Sequence, residues 1–307
     1  MLRRVLHYME REIKRYLDWK GTSASRASVN YKIWLNRFIE ACGSKPINGY
    51  AIEDIVKYKH WLETRYSSSS VQYAMIIIKN FFSFYKQQDY HCLSSFLIKI
   101  PPKNMKSYKA ISEIDFKKTV SRISTKCFLG LRDSVIVRLL WDTGMRVSEL
   151  CDVNLSQIDK NKTSIVIRTK KNQKYRIVVW SIETHKLLLK YMRERLKMVK
   201  GKEAGAMFIG FLRGRGWTIR LTTRSIERMV KKYISKAKIN EKISPHSFRH
   251  GWAHKRRDLN APLAFIQKGL GHINPASTFI YEQYNDKEFE AHANSYLKEV
   301  KLTGNPI

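Results

Sequence analysis

Tyr281 lies downstream of three motifs rich in cationic donors: Thr143-Gly144-Met145-Arg146-Val147-Ser148-Glu149-Leu150, His246-Ser247-Phe248-Arg249 and Leu270-Gly271-His272. Two guanidiniums and two imidazoles gathered beside one phenol suit a pentavalent phosphorane, whose extra negative charge needs hydrogen-bond donors already in place. Arginine is the fitting residue because its planar fork grips two phosphate oxygens at once. A free phenol titrates near pH ~10, so it attacks well only where cations favour the phenolate. The chemistry implied is attack of a tyrosine on a DNA phosphodiester. His246 and Arg249, three apart, share one face of a helix. A bare His-x-x-Arg is unspecific and describes many solvated basic helix faces. The order Arg, His-x-x-Arg, Leu-Gly-His, Tyr is far more restrictive.

The composition supports a polyanionic partner. The 307 residues carry a formal net charge of +32, with 43% hydrophobic residues. Such a chain is globular, large enough for two domains, and self-repelling unless a polyanion binds it. Residues 1–100 hold 16 Lys+Arg against 8 Asp+Glu, and the remainder 42 against 18. Both parts are therefore positive. The basic residues are spread along the chain rather than gathered on one terminal helix, which favours nucleic acid over an anionic membrane. Cys42, Cys92, Cys127 and Cys151 are scattered without a Cys-x-x-Cys pair. They read as reduced, mostly buried thiols of a cytosolic protein rather than a metal site or disulfide framework. No secretory leader is read, and apolar runs such as Ala74–Ile78 are too short to span a bilayer. Neither an acidic metal cluster nor a Gly-x-x-x-x-Gly-Lys loop is found, so no metal and no cofactor is expected.

The elements that must position these residues read as mainly helical. Ser23 to Ser28 leads into a helix with Val29, Ile33, Phe38 and Ile39 on its apolar side. A second runs from Asp54 to Tyr66 and ends at a serine run. A third, Val71 to Gln87, carries Met75, Ile76, Ile78, Phe81, Phe82 and Tyr85, a width of apolar surface suited to the centre of a bundle. Ile100 to Lys109, with two prolines and three lysines, reads as an extended basic linker. Beyond it, Ser112 starts a helix and Leu131–Trp141 is a strongly apolar one. Ile165–Arg168 and Arg176–Trp180 flank a lysine-rich hairpin tip. Helix returns over Glu183–Met198, Gly201–Gly216 reads as irregular, and Thr223 caps an amphipathic helix with Ile226, Met229, Val230, Tyr233, Ile234 and Ala237 at helical spacing. One small antiparallel sheet is expected within a mostly α fold. The domains are expected at 1–99 (helical, DNA-binding), 100–109 (linker) and 110–286 (catalytic), with a tail at 287–307.

Thr143–Leu150, His246-Ser-Phe-Arg-His-Gly-Trp-Ala253 and Leu270-Gly-His-Ile-Asn-Pro-Ala-Ser-Thr-Phe-Ile-Tyr281 resemble the motifs of the tyrosine recombinases, the phage integrase and Xer group, over nearly the whole chain. The resemblance implies an N-terminal core-binding domain and a C-terminal mixed α/β catalytic domain. It implies a site-specific recombinase that cleaves and rejoins strands through a covalent 3′-phosphotyrosine. Tyr281 then matches the nucleophile, Arg146 and Arg249 the holders of the non-bridging oxygens, His246 a proton-exchanging group, and His272 a further donor. Glu149 matches an acidic buttress. The family's hairpin lysine, general acid for the 5′ hydroxyl, falls on Lys171 when Arg176 is aligned, with Lys170 and Lys174 as alternatives. His250 and His254 read as packing or phosphate contacts rather than catalysts. Tyr284 is a nearby decoy, and Arg213–Trp217 a basic surface turn.

Implied partners are double-stranded DNA with a specific recombination site, further copies of the chain (a tetramer on DNA) and accessory proteins, in the cytoplasm with the nucleoid. A topoisomerase IB-like relaxing enzyme and a DNA-binding regulator that has lost cleavage remain as alternatives. The complete Arg, Lys, His, Arg, His, Tyr set argues against the regulator. From Glu288 to Val300 the chain places Phe289, Ala293, Tyr296, Leu297 and Val300 on one side of a short helix that cannot bury that face alone. Residues 282–307 are locally acidic, with five acids against three lysines. The segment either couples subunits or docks on its own domain.

Overall fold

The computed structural model describes residues 2–21, 26–102, 109–169, 174–199, 205–213, 216–239, 242–272, 274–279 and 281. Of the expectations above, Lys170, Lys171, most of the basic linker, Tyr284 and the tail lie outside them. Chain contacts divide the protein into two compact units, Met1–Lys106 and Ser107–Ile307.

The first unit is helical: α1 (Leu2–Trp19), α2 (Arg26–Cys42), α3 (Ile52–Glu63) and α4 (Ser68–Lys86). From α1, Met9, Ile13, Tyr16 and Leu17 are buried, the spacing of one helical face. Helix α4 buries Val71, Ala74, Met75, Ile77, Ile78, Phe81, Phe82, Phe84 and Tyr85, a stripe too wide for a surface helix and right for a bundle centre. On α2 the buried side is Leu35, Phe38, Ala41 and Cys42, whereas Val29 is 58% and Ile33 39% exposed. The face expected from Val29 and Ile33 thus does not bury at its N-terminal end. Two phenols anchor helices to backbone, Tyr58 donating to the Trp34 carbonyl at 3.0 Å and Tyr85 to that of Glu12 at 2.8 Å.

The second unit begins with α5 (Glu113–Ser121), α6 (Phe128–Thr143) and α7 (Val147–Asp152). Ser112 caps α5 by accepting from the Asp115 amide at 3.0 Å. Strands β1 (Ser164–Arg168) and β2 (Tyr175–Val179) pair antiparallel, with Ile167 opposite Arg176. The inward row is Ile165, Ile167, Val178 and Arg176. Arg176 is the one polar member of that row, and a buried guanidinium in a strand needs a specific partner.

Helix α8 (Ile182–Val199) precedes a second hairpin, β3 (Ile209–Leu212) and β4 (Gly216–Arg220). The expectation of an irregular Gly201–Gly216 stretch missed it, because the short apolar run Phe208–Leu212 is outweighed by surrounding glycines. The fold is mostly helical with two small antiparallel sheets. Helices α9 (Thr223–Lys236), α10 (Pro245–Asp258), α11 (Leu263–Leu270) and α12 (Ala276–Phe279) complete the unit. Helix α9 buries Ile226, Met229, Val230, Tyr233 and Ile234, and its cap is Thr222, one residue before the expected Thr223. Of the cysteines, Cys42 and Cys151 are buried and Cys127 is exposed. Among the described residues no helix is long and apolar enough to cross a membrane.

Candidate active site

The site is assembled where α6, α10 and α11 end or begin. Helix α6 stops at Gly144, whose φ of +60° closes the C-cap at little steric cost. Thr143 Oγ1 donates to the Leu139 carbonyl at 2.5 Å and accepts from the Met145 amide at 3.2 Å, steering the chain out of the helix. Arg146 then serves as N-cap of α7 in extended conformation, and Glu149 sits at the third helical position. From there its carboxylate reaches back to the Arg146 amide at 2.8 Å and also meets Arg146 Nη1 at 2.9 Å. The Thr143–Leu150 motif is thus a helix–turn–helix device that fixes one arginine and its counter-ion together.

Arg176 supplies the other half of the Glu149 network, with Nη1 and Nη2 donating to the two carboxylate oxygens at 2.9 and 2.8 Å. Its Nε donates to the Gly269 carbonyl at 2.9 Å. Burial pushes the Glu149 carboxyl up, but the bonds and charge of Arg176 and Arg146 more than offset it and hold the group below the usual carboxylate range. Glu149, expected from sequence as an acidic buttress, links Arg146 to Arg176 here. Its bidentate partner Arg176 is not among the site residues expected from sequence. The sequence signal was an arginine in an inward-facing strand position.

Arg249 is 1% exposed and bridges two helix ends, donating to the Gly144 carbonyl at 2.8 Å and the Leu270 carbonyl at 2.5 Å. Helix α11 ends at Gly271, φ +64°, where an added Cβ would lie 3.1 Å from Arg176 Nη1. Trp252 clamps the same junction: its indole N–H donates to the Asp142 carbonyl at 2.8 Å, and its ring leaves no room for a Cβ on Gly269. Burial first, then Arg146 and Arg176, push the Arg249 guanidinium down to about 9, still charged at neutral pH.

Three guanidiniums against one carboxylate leave this corner with surplus positive charge, and the imidazoles register it. His246 titrates below its usual range through burial, Arg249 and Arg146. His272 is pushed down to about 4 by burial and by Arg249, Arg146, Arg176 and His246. A bound anion such as a phosphate diester would offset the charge of the arginines in both shifts, leaving the burial contribution in place.

Tyr281 closes the site. Thr278 receives the Tyr281 amide on its carbonyl at 2.9 Å, and its hydroxyl is 2.8 Å from His272 Nδ1. The Tyr281 ring, 2% exposed, lies nearly parallel to that of His272, 13° between planes and 6.4 Å between centroids. Its hydroxyl shares a 2.8 Å hydrogen bond with His250 Nδ1. His246 stands edge-on to His250 at 4.5 Å. The structure therefore groups Arg146, Glu149, His246, Arg249, His272 and Tyr281, and adds Arg176 and His250. Sequence reasoning set His250 aside as packing or a phosphate contact. Its place four residues after His246 on one helix face was the available signal. At the hairpin, the Lys174 carbonyl accepts from the Thr169 amide at 2.8 Å, and its side chain is exposed.

Comparison with known proteins decides the family. Residues 110–288 match the model of the phage integrase family, and residues 11–92 match a phage integrase N-terminal SAM-like domain. The chain belongs to the phage integrase family of tyrosine recombinases. Tyrosine recombinase XerA of Pyrococcus horikoshii is 29% identical over 293 residues, covering 95% of this chain and 93% of that protein. Tyrosine recombinase XerC of Thermodesulfovibrio yellowstonii is 31% identical over 244 residues, covering 76% of this chain and 75% of that protein. Among solved structures, XerA recombinase aligns with a TM-score of 0.54 at 29% identity, over 93% of this chain and 98% of that one. The Tn1549 transposon integrase, in complex with a circular intermediate DNA, aligns with a TM-score of 0.76 at 16% identity, over 94% of this chain and 99% of that one, a likeness of fold. As a tyrosine recombinase, the protein is an enzyme of DNA cleavage and rejoining.

Proposed function

We propose that the protein is a site-specific recombinase of duplex DNA in which Tyr281 attacks the scissile phosphate and forms a 3′-phosphotyrosine. The observation that carries this reading is the burial of Tyr281 beside Arg249, which with Arg146 and Arg176 outnumbers the carboxylate Glu149 that joins them. Arg146, 31% exposed at its side chain, is the guanidinium open to an entering phosphate. Arg249, joined to two helix-end carbonyls, orders the pocket and supplies charge beside it. His272 and His246 donate further hydrogen bonds as charge builds on the phosphorane. The leaving 5′ oxygen takes its proton from a hairpin lysine, assigned to Lys171 with Lys170 and Lys174 as alternatives. Breaking the diester stores its free energy in the phosphotyrosine, and a strand 5′ hydroxyl reverses the step.

The net charge of +32 supports binding along the DNA backbone. Exchange between two sites calls for several copies of the chain, a tetramer on paired DNA, with accessory proteins as directional partners, in the nucleoid-associated cytoplasm. In this reading residues 1–99 bind DNA as a helical domain and 110–286 carry the chemistry, joined through 100–109. The tail at 287–307 couples neighbouring copies. The test is a two-duplex strand-exchange assay on a site selected from random DNA. Joined hybrid products support recombination. Relaxation of supercoils without any joined product would favour the topoisomerase-like activity instead.

A further inference from the structure

We propose that His250 is a catalytic residue that receives the Tyr281 proton during attack, an assignment resting on Tyr281 as the nucleophile. In the step, a bond forms between Tyr281 Oη and phosphorus while the Oη–H bond breaks and its proton passes to His250 Nδ1. The bond from phosphorus to the bridging 5′ oxygen breaks, and that oxygen takes a proton from the general acid.

The geometry singles out this acceptor. The 2.8 Å separation of Oη and Nδ1 lies within direct proton-transfer reach. Tyr281 is 2% and His250 4% exposed, so a protein group rather than bulk solvent meets the proton first. The alternatives nearby are worse placed. Guanidiniums have no lone pair to offer. His272 presents its ring face to Tyr281, and its Nδ1 is engaged with Thr278. His254 meets the Tyr281 ring at 85° and 5.6 Å, a ring contact. His246, expected from sequence to exchange this proton, contacts His250 rather than the phenol. Helix α10 holds His250 rigidly, because Gly251 beside it packs so closely that an added Cβ would lie 2.6 Å from the Ile111 carbonyl.

The surroundings make the transfer conditional on substrate. Facing His250 are His246, Arg249 and His254 from its own helix, and His272 and Tyr281 from the segment beyond α11. Burial, then His246, His254, Arg249 and His272, push it down to about 3, so in the DNA-free protein the ring is neutral. A phosphate seated among the arginines brings negative charge that opposes the part of this push due to neighbouring positive charge and so raises the basicity of Nδ1. Tyr281 is thereby a poor nucleophile until a diester is in place, which guards against attack on stray electrophiles.

The test is single-turnover adduct formation on a nicked duplex carrying the selected site, using wild type, Tyr281→Phe and His250→Asn. The asparagine oxygen can hold the phenol but cannot take a proton. With duplex affinity and melting unchanged, His250→Asn is expected to slow adduct formation by about 10²–10⁴-fold. Its rate should climb with pH where the wild type is level, because hydroxide must then remove the proton. A duplex with sulfur in place of the bridging 5′ oxygen needs no protonated leaving group. It should restore a Lys171→Ala variant and leave the His250→Asn defect intact. A His250→Asn rate within about threefold of wild type, or its repair by the sulfur substrate, overturns the assignment. Should the variant lose DNA binding or melt early, nitrogen-15 histidine spectra of the wild type decide. Nδ1 of His250 should be unprotonated in the free protein and protonated in the trapped adduct, and an unprotonated Nδ1 in both overturns the proposal. Adduct formation by Tyr281→Phe removes the nucleophile reading itself, whereas loss with Tyr281→Phe beside a normal His250→Asn defeats only the role of His250.

Discussion

Glu149→Gln should destabilise the second unit far more than an ordinary surface change. The carboxylate accepts two bonds from Arg176 at 2.8 and 2.9 Å, with side-chain exposures of 2% for Glu149 and 5% for Arg176. It also accepts from the Arg146 amide and guanidinium. Glutamine keeps one acceptor but turns its amide donors toward guanidiniums that can only donate. Removing one partner of a buried ion pair strands the other charge at a cost of about 3–5 kcal/mol. For a unit of this size each kcal/mol moves the melting temperature by about 2–4 °C, giving a drop of about 6–20 °C. Thermal melting followed by near-ultraviolet circular dichroism measures it. The dependence on pH is a second signature. Because the Glu149 carboxyl is held below its usual range, its stabilisation is complete above the unfolded-state pKa of about 4.3 and is lost as pH falls through the lower folded value. The gap between wild type and variant should therefore shrink in acid. The double variant Glu149→Gln/Arg176→Met should lose less than the two single losses added, because the stranded charge is gone. A melting temperature unchanged by Glu149→Gln, or a gap that persists undiminished into strong acid, would refute the picture of a buried, ionised hub.

Other outcomes follow from the same contacts. Gly144→Ala forces a side chain into left-handed backbone 3.0 Å from the Trp252 ring, and should cost about 1–2 kcal/mol in urea titrations that follow tryptophan fluorescence. Arg249→Lys replaces the planar fork, whose two nitrogens each hold one of the Gly144 and Leu270 carbonyls, with a single nitrogen, and should slow adduct formation by about 10²-fold or more in single-turnover assays while duplex binding persists. His250 and His272 are pushed down to about 3 and about 4, so the unfolded chain binds more protons below its histidine pKa of about 6.5. Stability should accordingly decline as pH falls from there toward the folded values, and a melting temperature flat over that window would contradict their burial as neutral rings.

The order of the motifs made the chemistry legible before any coordinates, because each motif is also a local structural device. Thr143-Gly144 ends a helix, Glu149 caps the next, and Pro245 opens the helix that carries His246 and Arg249. Local devices of this kind show in sequence. Contacts across the fold do not. Arg176 meets Glu149 only because β2 packs beside α7 and α11, and His250 meets Tyr281 only because the chain after α11 folds back over α10. The exposure of Val29 and Ile33 on α2 has a related reason: periodicity identifies an apolar face but not whether anything packs against its first turn. The second hairpin escaped notice because four residues of Ile209–Leu212 give too short an alternation to count against the neighbouring glycines.

The most direct test of the central claim is a denaturing gel of the protein incubated with a nicked duplex bearing its selected site, run beside Tyr281→Phe. The role of Tyr281 as nucleophile requires a covalent protein–DNA adduct in the wild type and none in the variant, with equal duplex binding by both. An adduct that survives Tyr281→Phe, or tight binding by the wild type with no adduct at any pH, would contradict it.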